Sequence, residues 1–268
     1  MVKLLPIYRF YIEKSLKLYL CFMQQQKTYI HWLQMKEKNR QQLAILIDPD
    51  KASDAHLLAL CQKANEGKID CFFVGGSLLS SGCVENVVSF LKANTSIPIL
   101  LFPGSTMQLA SNADAVLFLS LISGRNADLL IGKHVETAPF IHKNNLETIS
   151  TGYMLIDSGR PTSVSYMSGT QPIPYEKDEI AVCTAMAGEM LGLKAIYLEG
   201  GSGAENPVSI AMISAVKKNI NIPLIVGGGI RDANTASQMY NAGADILVVG
   251  TKVEQGLSII DDITAIKK

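Results

Sequence analysis

Eight short apolar runs rich in β-branched residues recur along the chain after residue 40, and most of the segments between them carry helical periodicity. That alternation predicts an α/β protein, a single (β/α)8 TIM barrel, because eight strand-helix units in about 225 residues approach the roughly 250 residues of one such barrel. Glycine-rich turns follow several of the runs, whereas the early G-x-G-x-x-G fingerprint of a doubly wound dinucleotide-binding sheet is absent after the first.

The elements follow in order. Residues 1–26 read as an N-terminal extension, in which Leu4, Leu5, Phe10, Leu16, Leu18, Leu20 and Phe22 are interrupted by Lys3, Arg9, Lys14 and Lys17. Those charges are too frequent for a membrane span of about 20 apolar residues. The expectation is an extra amphipathic helix or a misassigned start, with Met23 or Met35 as the true beginning. Interfacial helices use the same basic and apolar mixture, so a transient membrane contact stays open. Residues 27–268 then hold the barrel. Its predicted strands are Leu43–Ile47, Ile69–Val74, Ile97–Phe102, Ala115–Ser120, Tyr153–Ile156, Ala195–Leu198, Pro223–Val226 and Asp245–Val249. Most are too continuously apolar to alternate buried and wet faces, as strands covered on both sides are.

Three crossover helices are legible: Asp54–Glu66 with Leu57, Leu58, Leu60 and Cys61 on one stripe, Ala204–Asn219 with Ile210, Ile213 and Val216, and Ala233–Asn241 ending at Ala242-Gly243. Two units are irregular. Pro103–Ala113 leaves room for only a short helix, so the third helix region is modified, and Asp157–Pro174 is a long polar loop holding Gly159, Pro161, Gly169, Pro172 and Pro174. Long ordered loops tend to be functional, and in a barrel this one lies on the active-site face.

Composition narrows the function. The 268 residues are 48% apolar and carry 24 basic against 24 acidic side chains, so there is no long-range positive field to draw nucleic acid. Cys21, Cys61, Cys71, Cys83 and Cys183 are odd in number, lie far apart and include no C-x-x-C pair, which points to reduced thiols and a cytoplasmic location. His31, His56, His134 and His142 show no metal-ligand spacing.

The strongest chemical signal is the trio of turns after the last three strands: Tyr197-Leu198-Glu199-Gly200-Gly201-Ser202-Gly203, Gly227-Gly228-Gly229-Ile230-Arg231 and Gly250-Thr251. Glycine lets backbone N–H groups approach an anion, and the loops after strands 7 and 8 are the common phosphate site of these barrels. Gly228, Gly229, Gly250 and Thr251 are the expected donors. Glu199, at its strand end, is placed to take a proton from a substrate hydroxyl, or else to serve as a cap or ion-pair partner. Near the start, Asp48 and Ser77 end neighbouring strands and offer two hard oxygens of the kind Mg2+ takes alongside waters and substrate phosphates. Asp48-Pro49-Asp50 could equally be a turn into the first helix, capped by Asp50 or Ser53.

These motifs, with Leu46-Ile47-Asp48-Pro49-Asp50-Lys51, Val74-Gly75-Gly76-Ser77, Ser123-Gly124-Arg125-Asn126-Ala127-Asp128 and Gly152-Tyr153, resemble the geranylgeranylglyceryl phosphate synthases and their heptaprenylglyceryl phosphate synthase relatives, from about Leu43 to the C-terminus. The resemblance implies an Mg2+-dependent prenyltransferase that moves a long prenyl group from its diphosphate to the C3 hydroxyl of sn-glycerol 1-phosphate, a step of ether-lipid biosynthesis. It places Mg2+ on Asp48 and Ser77, and glycerol phosphate on Tyr197 to Gly203, Gly228, Gly229, Gly250 and Thr251. Glu199 is then the group that orients and deprotonates the hydroxyl, and Tyr153 and Asn126 line the prenyl side. An apolar trough for the chain would draw on Phe72, Phe102 and Phe118, each of which could also be core.

Many relatives carry a lysine two residues before the metal aspartate. Here that position is Leu46, so the contact is missing or comes from Lys51. The motif forms are similar to those of the second subgroup, implying a homo-oligomer, a dimer or more often a hexamer. Two other readings stand beside this one: a sugar-phosphate isomerase or indole-type synthase on the same barrel, and a phosphate-ligand binder without catalysis, since fold does not fix function.

Overall fold

The structure, a computed structural model, describes residues 26–268; the expectations for residues 1–25 lie outside them. The chain runs α1 (Lys27–Glu37), β1 (Gln42–Ile47), α2 (Asp54–Asn65), β2 (Cys71–Val74), α3 (Val84–Asn94), β3 (Ile99–Leu101), β4 (Ala115–Leu121), α4 (Lys133–Lys143), β5 (Glu147–Leu155), α5 (Ser163–Ser168), α6 (Asp178–Met190), β6 (Ala195–Glu199), α7 (Ile210–Asn219), β7 (Leu224–Gly227), α8 (Ala233–Ala242), β8 (Ile246–Val249), α9 (Thr251–Gln255) and α10 (Ser258–Ile266). All eight strands are parallel and close in chain order, with β1 paired to both β2 and β8. The predicted barrel is the observed one.

Successive side chains of a strand point to opposite faces, so every barrel strand feeds two packed layers. Ala44, Phe73, Leu100, Leu117, Tyr197 and Ile225 belong to the inner cluster, while Ile45, Phe72, Leu101, Val116, Leu198 and Val226 belong to the layer under the helices. Both layers are apolar, which is why the runs read as continuous. Strand β5 exceeds its predicted span because Glu147, Thr148, Ser150 and Thr151 hide its first half from a hydrophobicity reading.

Helix α1 closes the end of the barrel where the strands begin. Trp32 is 1% exposed and its ring lies 6.3 Å from that of Phe73. The first amides of α1, which have no partner inside the helix, are met by a carboxylate from the barrel: Thr28 and Tyr29 N–H donate to Glu147 at 2.9 and 2.8 Å. Glu147 opens β5, so the anchor sits opposite the mouth. Helix α1 therefore packs as a plug on the barrel.

Two connections depart from strand-helix-strand. Residues 102–114 contain no helix at all, only turns, less than the short helix expected there. The long loop after β5 carries α5, opened by a capping box between Thr162 and Ser165. Helix α7 starts at Ile210 rather than at Ala204, because Ser209 accepts the Met212 N–H and sets the cap there.

Removing the plug has a measurable cost. Trp32→Ala should lower stability by about 3–5 kcal/mol, the range for truncating a fully buried large aromatic, read from the urea unfolding midpoint.

Candidate active site

The strand ends after β1, β2, β6, β7 and β8 surround one cavity of about 370 Å³, within the size range of small-molecule sites. Glu199 is the last residue of β6 and shares the inward parity of Tyr197. It is only 6% exposed, and its carboxylate accepts the Gly201 N–H at 2.6 Å. Burial pushes its carboxyl up from the ordinary 4.5, while the Gly201 N–H and the hydroxyls of Tyr197 and Tyr153 pull it the other way. Those phenols are themselves raised, first by burial and then by the Glu199 charge, so both keep their protons. The net result is a sequestered carboxylate with enhanced basicity, suited to accept a proton from a hydroxyl.

The glycine turns crowd against this carboxylate. Gly228 has φ +85°, and a Cβ there would stand 2.7 Å from the Gly201 nitrogen and 2.9 Å from a Glu199 oxygen, so the turn after β7 admits no side chain. Among the described residues, the N–H groups of Gly228, Gly229 and Gly250 find no acceptor within the protein. The Ser202 and Thr251 hydroxyls, 3.1 Å apart, join the loops after β6 and β8. Arg231 lines the same cavity with Lys252, and its guanidinium donates to the Ala204 carbonyl at 2.7 Å. The turns and these two cations together make a donor-rich wall of the cavity, of the kind an anion can use.

The same cavity is lined by Asp48 and Ser77, from the ends of β1 and β2, next to β8 in the closed barrel. The Asp48 carboxylate packs beside the turn that carries Ser77, since a Cβ on Gly76 would lie 3.8 Å from it. Asp48 also accepts the Asp50 N–H at 3.1 Å and sits 3.4 Å from the Lys51 ammonium. Among the described residues no three His, Cys, Asp or Glu side chains converge. One carboxylate and one hydroxyl, both hard oxygens facing a cavity, fit Mg2+, which keeps waters and fills its shell from phosphates. The turn reading of Asp48-Pro49-Asp50 is the one the structure shows: Ser53 caps α2, and Asp50 accepts N–H bonds from Ser80, Ser81 and Gly82. Those N–H groups hold the Asp50 carboxyl well below the usual carboxylate range. Lys51 lines the cavity that Leu46 also lines and pairs with Glu254 at 3.1 Å.

A second, apolar cavity of about 140 Å³ opens where a helix between β3 and β4 would ordinarily pack. Pro103, Leu109, Phe118, Leu121 and Leu129 line it. It shares Gly76, Ser77, Phe102, Tyr153 and Val164 with the first cavity, so the two meet beside the turn that carries Ser77.

Most of the predicted residues converge on these two cavities. Asp48, Ser77, Tyr153, Tyr197, Glu199, Gly201, Ser202, Gly203, Gly228, Gly229, Gly250 and Thr251 line the first. Phe102 and Phe118 line the trough, whereas Phe72 is sealed in the layer under the helices. Three expectations need correction. Asn126 lines neither cavity; it is exposed and its side chain accepts the Asp128 N–H, opening a turn of π-helix. Leu198 has the wrong strand parity and packs outward. Gly200 is spent on the sheet, its N–H donating to the Gly227 carbonyl at 3.0 Å. Sequence reasoning quoted Arg231 as the end of a glycine turn but gave it no role, and missed Lys252, which follows Gly250-Thr251, and Val164 on α5, which carries no sequence signal.

The family profile that matches residues 34–267 is that of the PcrB family. The chain belongs to the PcrB family. This PcrB-family chain is 50% identical over 237 residues to the geranylgeranylglyceryl phosphate synthase of Chitinophaga pinensis, covering 88% of itself and 94% of that relative. It is 40% identical over 234 residues to the enzyme of the same name from Pyrococcus furiosus, covering 87% of itself and 91% of that relative. Among solved structures, (S)-3-O-geranylgeranylglyceryl phosphate synthase from Thermoplasma acidophilum, in complex with the substrate sn-glycerol-1-phosphate, superposes with a TM-score of 0.82 at 29% identity, covering 89% of this chain and 96% of that one.

Anion binding at the donor-rich wall is testable by itself. In this PcrB-family protein Gly228→Ala should weaken binding of inorganic phosphate at least tenfold, because a side chain at that positive φ displaces the turn; isothermal calorimetry is the measurement.

Proposed function

We propose that the protein joins a long-chain prenyl group, geranylgeranyl, to the C3 hydroxyl of sn-glycerol 1-phosphate, releasing diphosphate. The observation that carries this reading is that Glu199, the glycine turns after β6, β7 and β8, and Asp48 and Ser77 at the ends of β1 and β2 all line one cavity, beside which an apolar trough opens. The names of the relatives, and the glycerol phosphate held by the Thermoplasma neighbour, support it.

On this reading the glycerol phosphate anion rests against Gly228, Gly229, Gly250 and Thr251, with Arg231 and Lys252 adding charge. Its C3 hydroxyl then meets Glu199. The prenyl chain lies along Phe102 and Phe118, and its diphosphate end reaches Asp48, Ser77 and Lys51. A bond forms between the C3 oxygen and the first prenyl carbon as the bond from that carbon to diphosphate breaks, and the hydroxyl proton passes to Glu199. Holding both reactants in one site makes the step effectively intramolecular. Mg2+ on Asp48 and Ser77 would neutralise charge on the leaving diphosphate. Lys51, which lines the cavity, is the residue placed to supply the cationic contact that Leu46 does not.

The resemblance to the second subgroup supports a homo-oligomer, dimer or hexamer. Met190 and Leu191, at the end of α6 and 79% and 80% exposed, are apolar surface that a second copy could cover. The reduced-thiol pattern supports the cytoplasm. Among the described residues no helix is long and apolar enough to cross a membrane.

Purified protein given geranylgeranyl diphosphate, sn-glycerol 1-phosphate and Mg2+ should yield the ether product; silence across several prenyl lengths would sink the reading. Chelation should stop turnover, and Asp48→Asn should cost about 10²-fold or more in kcat, as lost electrostatic stabilisation of a developing charge does. Glu199→Gln should cost about 10²–10⁴-fold, the usual worth of a general base. The acid limb of kcat/KM should lie above the ordinary glutamate value of 4.5, with activity rising as pH rises through it, and the Gln variant should lose that limb.

A further inference from the structure

The point where the two cavities meet is held by a side chain to which the mechanism gives no part. Gln108 lies in the helix-free connection between β3 and β4 and is 1% exposed. Its carbonyl oxygen accepts the N–H of Gly76 at 3.1 Å and that of Gly104 at 3.2 Å, and its amide donates to the Gly76 carbonyl at 2.9 Å. One amide thus spans two loops. Gly76 precedes Ser77 on the side proposed for the diphosphate, and Gly104 belongs to the wall of the apolar trough. The two backbones touch with no side chain between them: a Cβ on Gly104 would strike the Gly76 carbonyl oxygen at 2.1 Å, and one on Gly75 would strike that of Phe102 at the same distance.

Three satisfied hydrogen bonds in a dry place make a stiff joint, because breaking any of them strands a buried polar group. Pro103, Gly104 and Leu109 line the trough, so a chain lying in it would bear on the segment that Gln108 ties to the turn presenting Ser77. We propose that Gln108 is a positioning residue that couples occupancy of the apolar trough to the placement of the diphosphate-side turn. Binding energy from the remote isoprene units is then used to organise the leaving-group end, raising kcat as well as lowering KM. The inference rests on the prenyl-transfer reading.

The test compares kcat for dimethylallyl diphosphate and geranylgeranyl diphosphate, with sn-glycerol 1-phosphate and Mg2+, in the natural protein and in Gln108→Met, which keeps the side-chain volume and loses all three bonds. The natural protein should show a kcat that grows with the tail, and the variant should lose at least tenfold of that gain. Its affinity for sn-glycerol 1-phosphate, measured by calorimetry, should stay within twofold, which a merely unfolding variant would not achieve. Should Gln108→Met fail to bind sn-glycerol 1-phosphate, Gln108→Glu replaces it, retaining the acceptor for both N–H groups while facing the Gly76 carbonyl with an oxygen; an intermediate gain is expected. A variant of either kind that keeps the full tail dependence, or a natural protein whose kcat ignores the tail, overturns the assignment to Gln108 and leaves prenyl transfer standing. A natural protein that makes no ether product from either donor overturns both.

Discussion

Everything at the mouth depends on the two-residue period of a closed parallel barrel. Once Ala44, Phe73 and Tyr197 point inward, the residues two and four positions further along their strands are committed to the inner side of the rim. Leu46 and Asp48 follow from Ala44, Gly75 from Phe73, and Glu199 from Tyr197. A one-residue slip would turn Glu199 into the helix layer and bring Leu198 to the site. The catalytic arrangement is therefore secured by the whole inner core. Phe102, Tyr153 and Tyr197, with rings 5.3 to 5.9 Å apart, form the shelf beneath the site and hold that register.

The barrel alone does not place Ser77. It lies in a loop, and loops are mobile unless their backbone is tied down. Two side chains tie this one from opposite sides. Asp50, from the preceding loop, accepts N–H groups of residues 80–82; Gln108, from the following loop, holds Gly76 on both its N–H and its carbonyl. Both are short-range polar clamps on glycine-bearing backbone, and neither contributes an apolar surface. The absent helix after β3 is consistent with this division: it leaves space for a trough, while a single buried amide ties together the loops after β2 and β3.

How much could be read beforehand follows from the range of each signal. The strands and the glycine turns at the cavity are local patterns, apolar runs and glycine pairs, and both were legible, as was the inward Glu199 once its strand end was placed. The site residues that went wrong failed for a specific reason. Leu198 and Gly200 lie inside a functional motif, yet the motif does not announce that alternate positions face away or bond to the next strand. Asn126 matched a motif whose local job in this chain is to open a turn. Gln108 was invisible because its meaning lies in contacts 32 residues distant, and a polar residue in a loop without helical periodicity carries no mark of burial.

The buried carboxylate shows what the site costs the fold. Asp50, with a depressed pKa, favours the folded state above the unfolded carboxyl value, and that contribution fades as pH falls towards its folded value. Glu199 has the opposite sign. Its folded pKa is raised, so its proton is held more tightly in the native state, and its favourable contribution, complete below the unfolded value, is lost as pH rises through the folded one. The pH at which Glu199 would become the base of the proposed reaction is thus the pH at which it begins to weigh against folding. The Gly201 N–H and the two phenols offset part of that weight, and the rest is carried by the apolar layers on either side of the sheet. A stabler barrel could be made by replacing Glu199 with a neutral side chain, and it would be one with no group left to take the proton.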